Sequence, residues 1–259
     1  DDDLKEALID ALGEARGNEH FRRFAGALPA AYREDFTARA AVPDIEMMAR
    51  LTAGNSVGMS LYRPLEAEPG TLRFKLFHLG GPATLSDSLP MLKRMGLKVL
   101  DERPYRVSPP DHAPVWLHDF GMQTRLADAD VDIHGLHAVF EDAFGRIFRG
   151  EVENDDFNRL VVAARMPATE IVVLRAYAKY LHQIAFPLSQ AFVETTLAAN
   201  AAIASDLVAL FKARFDPDAS ADGDAEAATR VRAVEAALER VDNLSEDRVL
   251  RQLLALILA

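Results

Sequence analysis

Four runs with strand character decide the fold, and they read LYRP (61–64), LRFKLFH (72–78), LKVLDERPYRV (97–107) and VWLHDF (115–120). The second run alternates apolar and polar side chains, which is typical of a half-buried β-strand. Between the second and third runs, Leu85, Leu89 and Leu92 share one face of a predicted helix that Gly96 ends. Four strands around one short helix predict a compact α+β module.

A further helix precedes these runs, because Pro43 suits a first helical turn and Ile45, Met48 and Leu51 share a face. The order is then helix, strand, strand, helix, strand, strand, which is the ferredoxin-like order with its first strand moved to the end. We predict a four-stranded antiparallel sheet with two helices on one face. The predicted core residues are Leu72, Phe74, Leu76, Leu85, Leu89, Leu92, Val99 and Trp116.

Helical periodicity dominates the chain from Ile133 onward, so an all-α region follows the α+β module. We predict three regions: an N-terminal helical linker (1–41), the α+β module (42–125) and a helical domain (126–259). Ser245 is the predicted N-cap of the last helix. That helix has more apolar residues than one buried face needs, and we expect part of it to contact another domain or subunit. These residues are Leu250, Leu253, Leu254, Ile257 and Leu258.

The composition limits the function classes. The 259 residues are 49% hydrophobic, enough to bury a core, and the formal net charge is −11. An acidic surface repels phosphate groups, so we expect no nucleic acid and no membrane among the partners. The lack of cysteine excludes disulfides and thiolate metal sites and fits a cytoplasmic location. Because the chain begins with Asp1 and ends on an apolar run, we expect a segment of a longer polypeptide.

One turn has the composition of a ligand site. Gly80 and Gly81 lead into a predicted helix start, where free backbone N–H groups and the helix dipole favour an anion. Ser86 and Asp87 could add side-chain contacts to such a ligand. We therefore predict ligand binding by these four residues; the alternative is an ordinary strand-to-helix turn. The loop lacks the Gly-Lys-Ser/Thr ending of a phosphate loop.

No pattern in the sequence predicts a catalytic or metal site. His134 and His137 have a helical spacing that could ligate a metal, and Asp130 and Asp132 lie nearby, but no third ligand has a defined spacing. Asp101 and Glu102 are neighbours in a strand and point to opposite sides, so they make a poor acid–base pair. The dinucleotide fingerprint and the G-x-S-x-G motif are both missing. We predict no metal and no catalytic residue.

Several blocks of the sequence resemble the large bacterial NAD-specific glutamate dehydrogenases. The strongest block combines GLKVLDERPY (96–105) with WLHDF (116–120). The other blocks are PAAYREDF (29–36), DIE (44–46), LYRP (61–64), KLFH (75–78), LSDSLP (85–90), LRAY (174–177), KYL (179–181) and DRVLR (247–251). The resemblance thus extends over nearly the whole chain.

In that family, ACT-type modules and helical motifs precede the dehydrogenase domain of homo-oligomeric enzymes that oxidise L-glutamate to 2-oxoglutarate and ammonia with NAD. The resemblance implies that this chain is an ACT-like module plus a helical region, with a non-catalytic role in regulation and assembly. It implies the catalytic domain and other subunits as partners and an amino acid as effector. NAD would be the cofactor of the full-length enzyme, and no cofactor would be bound by this segment.

No catalytic residue can be transferred from the family, because the glycine-rich lysine motif for glutamate and the NAD fingerprint are both missing from this sequence. An alternative from another class stays open, namely a free-standing amino-acid-sensing ACT-like protein with a helical output domain. An independent enzyme is a third hypothesis, which the missing motifs disfavour.

Overall fold

The computed structural model describes residues 2–64, 67–124, 133–217 and 223–259. The first part of the chain contains α1 (Asp2–Leu12), α2 (Glu14–Phe24), α3 (Ala30–Asp35), α4 (Ala38–Arg50), β1 (Val57–Tyr62), β2 (Thr71–Leu79), α5 (Leu85–Arg94), β3 (Leu97–Val107) and β4 (Val115–Thr124). The second part contains α6 (Ile133–Phe148), a 3₁₀ turn (Asp156–Asn158), α7 (Arg159–Ala163), α8 (Ala168–Gln183), α9 (Gln190–Ala199), α10 (Ala201–Phe215), α11 (Gly223–Leu238) and α12 (Leu244–Leu258).

The chain divides into two compact units. The first unit comprises Asp1–Pro90 and Lys98–Ile133, and the second comprises Met91–Leu97 and His134–Ala259. The first unit contains the sheet, and helices make up the regular structure that is described in the second. An α+β fold followed by a helical region is therefore confirmed.

The sheet is four-stranded and antiparallel, with the strand order β1-β2-β4-β3. A ferredoxin-like sheet whose first strand has moved to the end of the chain has this same order. The register pairs Lys75 of β2 with Ser60 of β1 and with Asp119 of β4. The topology predicted from the order of elements is thus confirmed, and it places β2 and β4 in the centre of the sheet.

One face of the sheet packs against the N-terminal helices, and we call it the helix-covered face. Strand residues alternate between the two faces, and Phe77, Tyr105, Val107, Val115 and Leu117 share one buried cluster with residues of α1 to α4. At β1, a Cβ on Gly58 would lie 2.6 Å from the Met47 sulfur, which shows how closely α4 approaches the sheet. The described members of this cluster include none from α5.

The predicted core of the first module needs one correction. Leu72, Phe74, Leu76 and Leu92 are fully buried, and Val99 and Trp116 are half-buried. Leu85 and Leu89 are instead exposed. The buried residues in this part of the chain are Ser88 and Leu92 of α5 and Met95 directly after it. The buried face of α5 therefore includes Ser88, whereas the apolar pattern of the sequence predicted Leu89 there.

The predicted N-cap of the last helix is wrong. The N-cap of α12 is Asn243, whose side-chain oxygen accepts hydrogen bonds from Ser245 N at 2.9 Å and Glu246 N at 3.2 Å. The helix therefore begins at Leu244, one residue before the predicted cap. Leu250, Leu253, Leu254 and Ile257 are all buried within this chain, and Leu258 alone of the five is exposed. Most of the apolar surface of this helix is therefore covered within the chain, and its contact with another domain or subunit stays a prediction.

Two further observations complete the description. Among the described helices, none is by itself long and apolar enough to cross a membrane; α9 and α10 satisfy length and composition only as a pair bent by 100°. In the second unit, Arg175 is buried and binds Asp155 through two nitrogens, at 2.7 and 2.9 Å, and Asn158 at 3.2 Å. This pairing fixes the turn before α7 against α8.

Candidate functional site

Of the four residues of the predicted ligand site, Gly80 and Gly81 lie in the turn after β2, and Ser86 and Asp87 lie in the first turn of α5. Gly80 has a positive φ of 92°, and its N–H donates to the Pro114 carbonyl at 2.8 Å. The Gly81 carbonyl lies 2.7 Å from His78 Nδ1, and the Asp87 carboxylate accepts a hydrogen bond from the Thr84 hydroxyl. Ser86 and Asp87 are exposed. Several hydrogen-bonding groups of this region are thus already paired with neighbouring residues of the chain. Ligand binding by these four residues stays a prediction.

The histidines of the metal hypothesis have other neighbours. His137 Nε2 lies 3.1 Å from Glu141, one helical turn along α6. Among the described residues, no group of three or more His, Cys, Asp or Glu side chains could hold a metal ion. Asp130 and Asp132 lie outside the described residues.

A cluster of buried charged side chains lies on the helix-covered face of the sheet in the first unit. Its centre is Lys75, whose ammonium lies 2.5 Å from Asp44 of α4 and 3.9 Å from the centre of the Phe36 ring. Tyr32 of α3 donates a hydrogen bond to the same Asp44 oxygen at 2.5 Å. Asp44 and Lys75 are only 3% and 4% exposed. We call Tyr32, Asp44 and Lys75 the Lys75 triad.

A second group of charges continues across the same face of the sheet. Arg73 on β2 binds the Asp119 carboxylate on β4 at 3.0 Å and Asp101 on β3 at 3.1 Å. The Tyr62 hydroxyl of β1 also donates to Asp119, at 3.2 Å. A Cβ on Gly121 would lie 2.3 Å from an Asp101 oxygen, so the ion pair between β2 and β3 crosses β4 where there is no side chain.

A third group connects the sheet to the end of α3. Arg103 lies 2.9 Å from Asp35, and the Tyr105 hydroxyl donates to the same carboxylate at 2.5 Å. The rings of Tyr32 and Tyr105 meet edge to face, 5.4 Å between centroids. The three groups therefore join all four strands to α3 and α4 through alternating positive and negative side chains.

Burial raises the pKa values of two carboxyl groups and two tyrosine hydroxyls in these groups of residues. It raises the pKa of Asp44 and Asp119, and the nearby cations, Lys75 for the first and Arg73 for the second, oppose that effect. Burial also raises the pKa of Tyr32 and Tyr62, and the adjacent carboxylates raise it further, so both phenols stay protonated donors. Since each carboxylate in the cluster has a cation or a hydroxyl at hydrogen-bond distance, the arrangement suits structural coupling better than acid–base catalysis.

Sequence reasoning missed this cluster. The alternating pattern of β2 assigned Lys75 to a solvated face, whereas helices cover that face. One signal was available: Asp44 lies on the same helical stripe as Ala41, Ile45 and Met48, all of which are buried. A carboxylate on the apolar stripe of a helix predicts a buried cation on the element that it packs against.

The comparisons with known proteins first define a class. The family model described as "Glutamate dehydrogenase, ACT3 domain" matches residues 56–136. The models for helical motif 2 and helical motif 3 of glutamate dehydrogenase match residues 7–51 and 152–217. The chain thus combines an ACT domain with helical motifs on either side of it, and the Lys75 triad joins residues of helical motif 2 to the ACT3 sheet.

The similarity to individual proteins is more specific. Over its full length the chain is 42% identical to the NAD-specific glutamate dehydrogenase of Halomonas elongata and 39% identical to that of Pseudomonas aeruginosa. It is 36% identical to the Mycobacterium tuberculosis protein of the same name, over 98% of the chain. The chain spans about 16% of the length of each of these relatives. It belongs to the NAD-specific glutamate dehydrogenase family and corresponds to a segment of those proteins.

Proposed function

We propose that this chain is a non-catalytic segment for regulation and assembly within an NAD-specific glutamate dehydrogenase. The parent enzyme would oxidise L-glutamate to 2-oxoglutarate and ammonia with NAD, in the cytoplasm and as a homo-oligomer. Its own catalytic domain and other subunits would be the partners of this segment, with an amino acid as effector. The observation that carries the proposal is the match of ACT3 and two helical motifs to a chain whose relatives are NAD-specific glutamate dehydrogenases.

The geometry supports a mechanical role. Paired polar contacts join α3 and α4 to the sheet, so a shift of the helices relative to the sheet would break the buried Asp44–Lys75 ion pair, the Tyr32–Asp44 hydrogen bond and the more exposed Asp35–Arg103 pair. Breaking a buried pair by removing one partner costs about 3–5 kcal/mol. Such contacts favour concerted movement of helices and sheet over independent movement, which a segment that transmits a signal requires.

The non-catalytic part of the proposal predicts that the isolated chain has no activity. We expect no glutamate-dependent reduction of NAD in a spectrophotometric assay and no NAD binding at micromolar concentrations in calorimetry, because the sequence lacks the dinucleotide fingerprint. The full-length Halomonas elongata protein serves as the positive control for the assay. Turnover above background by the isolated chain, or micromolar binding of NAD, would contradict the proposal.

The regulatory part is tested in the complete enzyme. Lys75→Met should change the glutamate KM, the cooperativity or the oligomeric mass, because it removes the cation that joins helical motif 2 to the sheet. Lys93→Met, at an exposed lysine of α5, is the matched control and should change none of them. Unaltered kinetics and mass in the Lys75 variant would overturn this role. A native polypeptide of only 259 residues in the source cell would favour the free-standing sensor instead.

A further inference from the structure

A cleft of about 160 Å³ opens between α1, α3 and α4 of the first unit. Its wall is largely apolar, and the residues that form it are Leu4, Leu28, Tyr32, Phe36 and Ala41. Phe36 is half-buried, and the other four are at most 9% exposed, so the floor of the cleft is shielded from solvent. An apolar cavity of roughly 150 Å³ holds a molecule the size of benzene, and this cleft therefore has room for one small molecule.

Charged residues of both signs lie at the rim of the cleft. Asp3 of α1 and Arg33 of α3 line it, and both are exposed. Arg33 is held in place by hydrogen bonds to the carbonyl oxygens of Ala25 and, from Nε at 3.2 Å, Leu28. Thr37, the N-cap of α4, also lines the cleft. An apolar wall with a few polar groups at its edge is the usual construction of a small-molecule site, in which the polar groups orient the ligand.

We propose that this cleft binds a small apolar amino acid, of about the size of valine, as the effector of the segment. The branched side chain packs against the apolar wall, the ammonium lies beside Asp3, and the carboxylate lies beside Arg33 and Thr37. A zwitterion matches both signs of charge at the rim. The side-chain carboxylate of L-glutamate would instead enter the apolar wall without a partner, which is costly. This inference deepens the regulatory part of the proposed function and rests on it.

Two residues of the wall also hold the Lys75 triad together. Tyr32 donates a hydrogen bond to Asp44 at 2.5 Å, and the centre of the Phe36 ring lies 3.9 Å from the Lys75 ammonium. The two rings pack against each other, with 4.8 Å between their centroids. A ligand in the cleft therefore contacts side chains that touch both charges of the buried ion pair. Since a ligand favours whichever arrangement of its site it binds best, occupancy of the cleft stabilises one arrangement of α3 and α4 on the sheet.

Binding by the 259-residue chain is the first measurement, and backbone chemical shifts in an NMR titration report it. L-Valine should bind with a dissociation constant of about 1 mM or lower, a range that so small a ligand can reach. Isovalerate lacks the ammonium and isobutylamine lacks the carboxylate, so each should bind at least about threefold more weakly. L-Glutamate should not bind at about 10 mM, because its side chain is charged.

Two pairs of variants locate the ligand. Ala38 lines the cleft in the first turn of α4 and is half-buried, so Ala38→Leu should fill the cleft and remove measurable binding of L-valine. Ala40→Leu is the matched control, since Ala40 is exposed on the same turn and lies outside the lining. Asp3→Asn should weaken the binding of L-valine and isobutylamine at least about threefold but not that of isovalerate. Asp2→Asn, next to it and outside the lining, should change none of them.

The effect on the triad has a separate readout. Saturation with L-valine should slow amide hydrogen exchange in α3, α4 and β2, and Ala38→Leu should abolish this protection. The proposal is overturned if L-valine does not bind, if isovalerate or L-glutamate binds as tightly, if Ala38→Leu leaves the affinity unchanged, if Asp3→Asn weakens isovalerate equally, or if binding leaves exchange in β2 unchanged. These measurements need no catalytic domain, whereas the proposed function is tested through Lys75→Met in the complete enzyme, so either can fail without the other.

Discussion

At the scale of single residues, Lys75 has the largest predicted consequence. Lys75→Met leaves the buried Asp44 carboxylate without its cation, and we expect a loss of about 3–5 kcal/mol in the free energy of unfolding at neutral pH. The Met side chain keeps most of the volume, so the loss reports charge rather than packing. Urea denaturation measures it, with the exposed Lys93→Met as control.

The same variant has a predictable pH dependence. Burial already raises the pKa of Asp44 in the folded state, and removal of Lys75 raises it further above the unfolded value of about 3.9. A group with a raised folded pKa destabilises the fold only where it is ionised in the unfolded chain. The stability gap between Lys75→Met and the original chain should therefore narrow as the pH falls from 7 towards about 4. A gap that is constant or widens would contradict this.

Residue-scale features were also the hardest to predict from the sequence. Leu89 fits an apolar stripe with Leu85 and Leu92, yet Ser88 is the buried residue and Leu89 is exposed. Lys75 looks like the solvated half of an alternating strand, yet it is buried. In both cases the sequence pattern describes a single helix or strand, whereas the burial of a residue depends on which other elements pack against that helix or strand.

At the scale of elements, the crossing of α1 and α2 depends on Gly17. A Cβ there would lie 2.7 Å from the Ile9 backbone, which cannot move as a flexible side chain can. We expect Gly17→Ala to destabilise the first unit by about 1–3 kcal/mol through overpacking. Gly26→Ala is the control, since a Cβ at that position meets no atom within 4 Å. Thermal denaturation compares the two, and equal midpoints would refute the close crossing.

The start of α12 gives a second element-scale prediction. Asn243→Ala removes a cap that accepts two backbone N–H groups, and it should cost about 0.5–2 kcal/mol in the free energy of unfolding. Ser245→Ala removes the residue that a sequence pattern favours as cap, and it should cost less because Ser245 lies inside the helix. Chemical denaturation of both variants decides between the two caps; a larger loss for Ser245→Ala would contradict the assignment.

Elements themselves were well predicted where their periodicity is long. The four strand runs, the helix between them and helical structure after Ile133 are present, because alternation and 3.6-residue periodicity come from burial on one side. Caps were less predictable, since Asn243 and Ser245 both have suitable side chains and the choice depends on where the preceding turn ends.

At the scale of the whole molecule, the strand order followed from the order of elements, whereas the polar contacts of the N-terminal helices with the sheet did not. The division into two units leads to a prediction about where a mutation acts. Lys75→Met should increase amide hydrogen exchange in α3, α4 and β2, which the triad joins, and leave α8 to α12 unchanged. A uniform increase in both units would show instead that the chain unfolds as one cooperative body.

The edge position of β3 has a consequence for solubility. An eleven-residue strand at the border of a sheet is a template onto which a foreign strand could add, the first step of amyloid-like assembly. This edge contains Pro104, which has no N–H to donate, and exposed charges at Lys98, Asp101 and Arg103. Such residues act as gatekeepers. The proline and the charges therefore disfavour the addition of a foreign strand along this border.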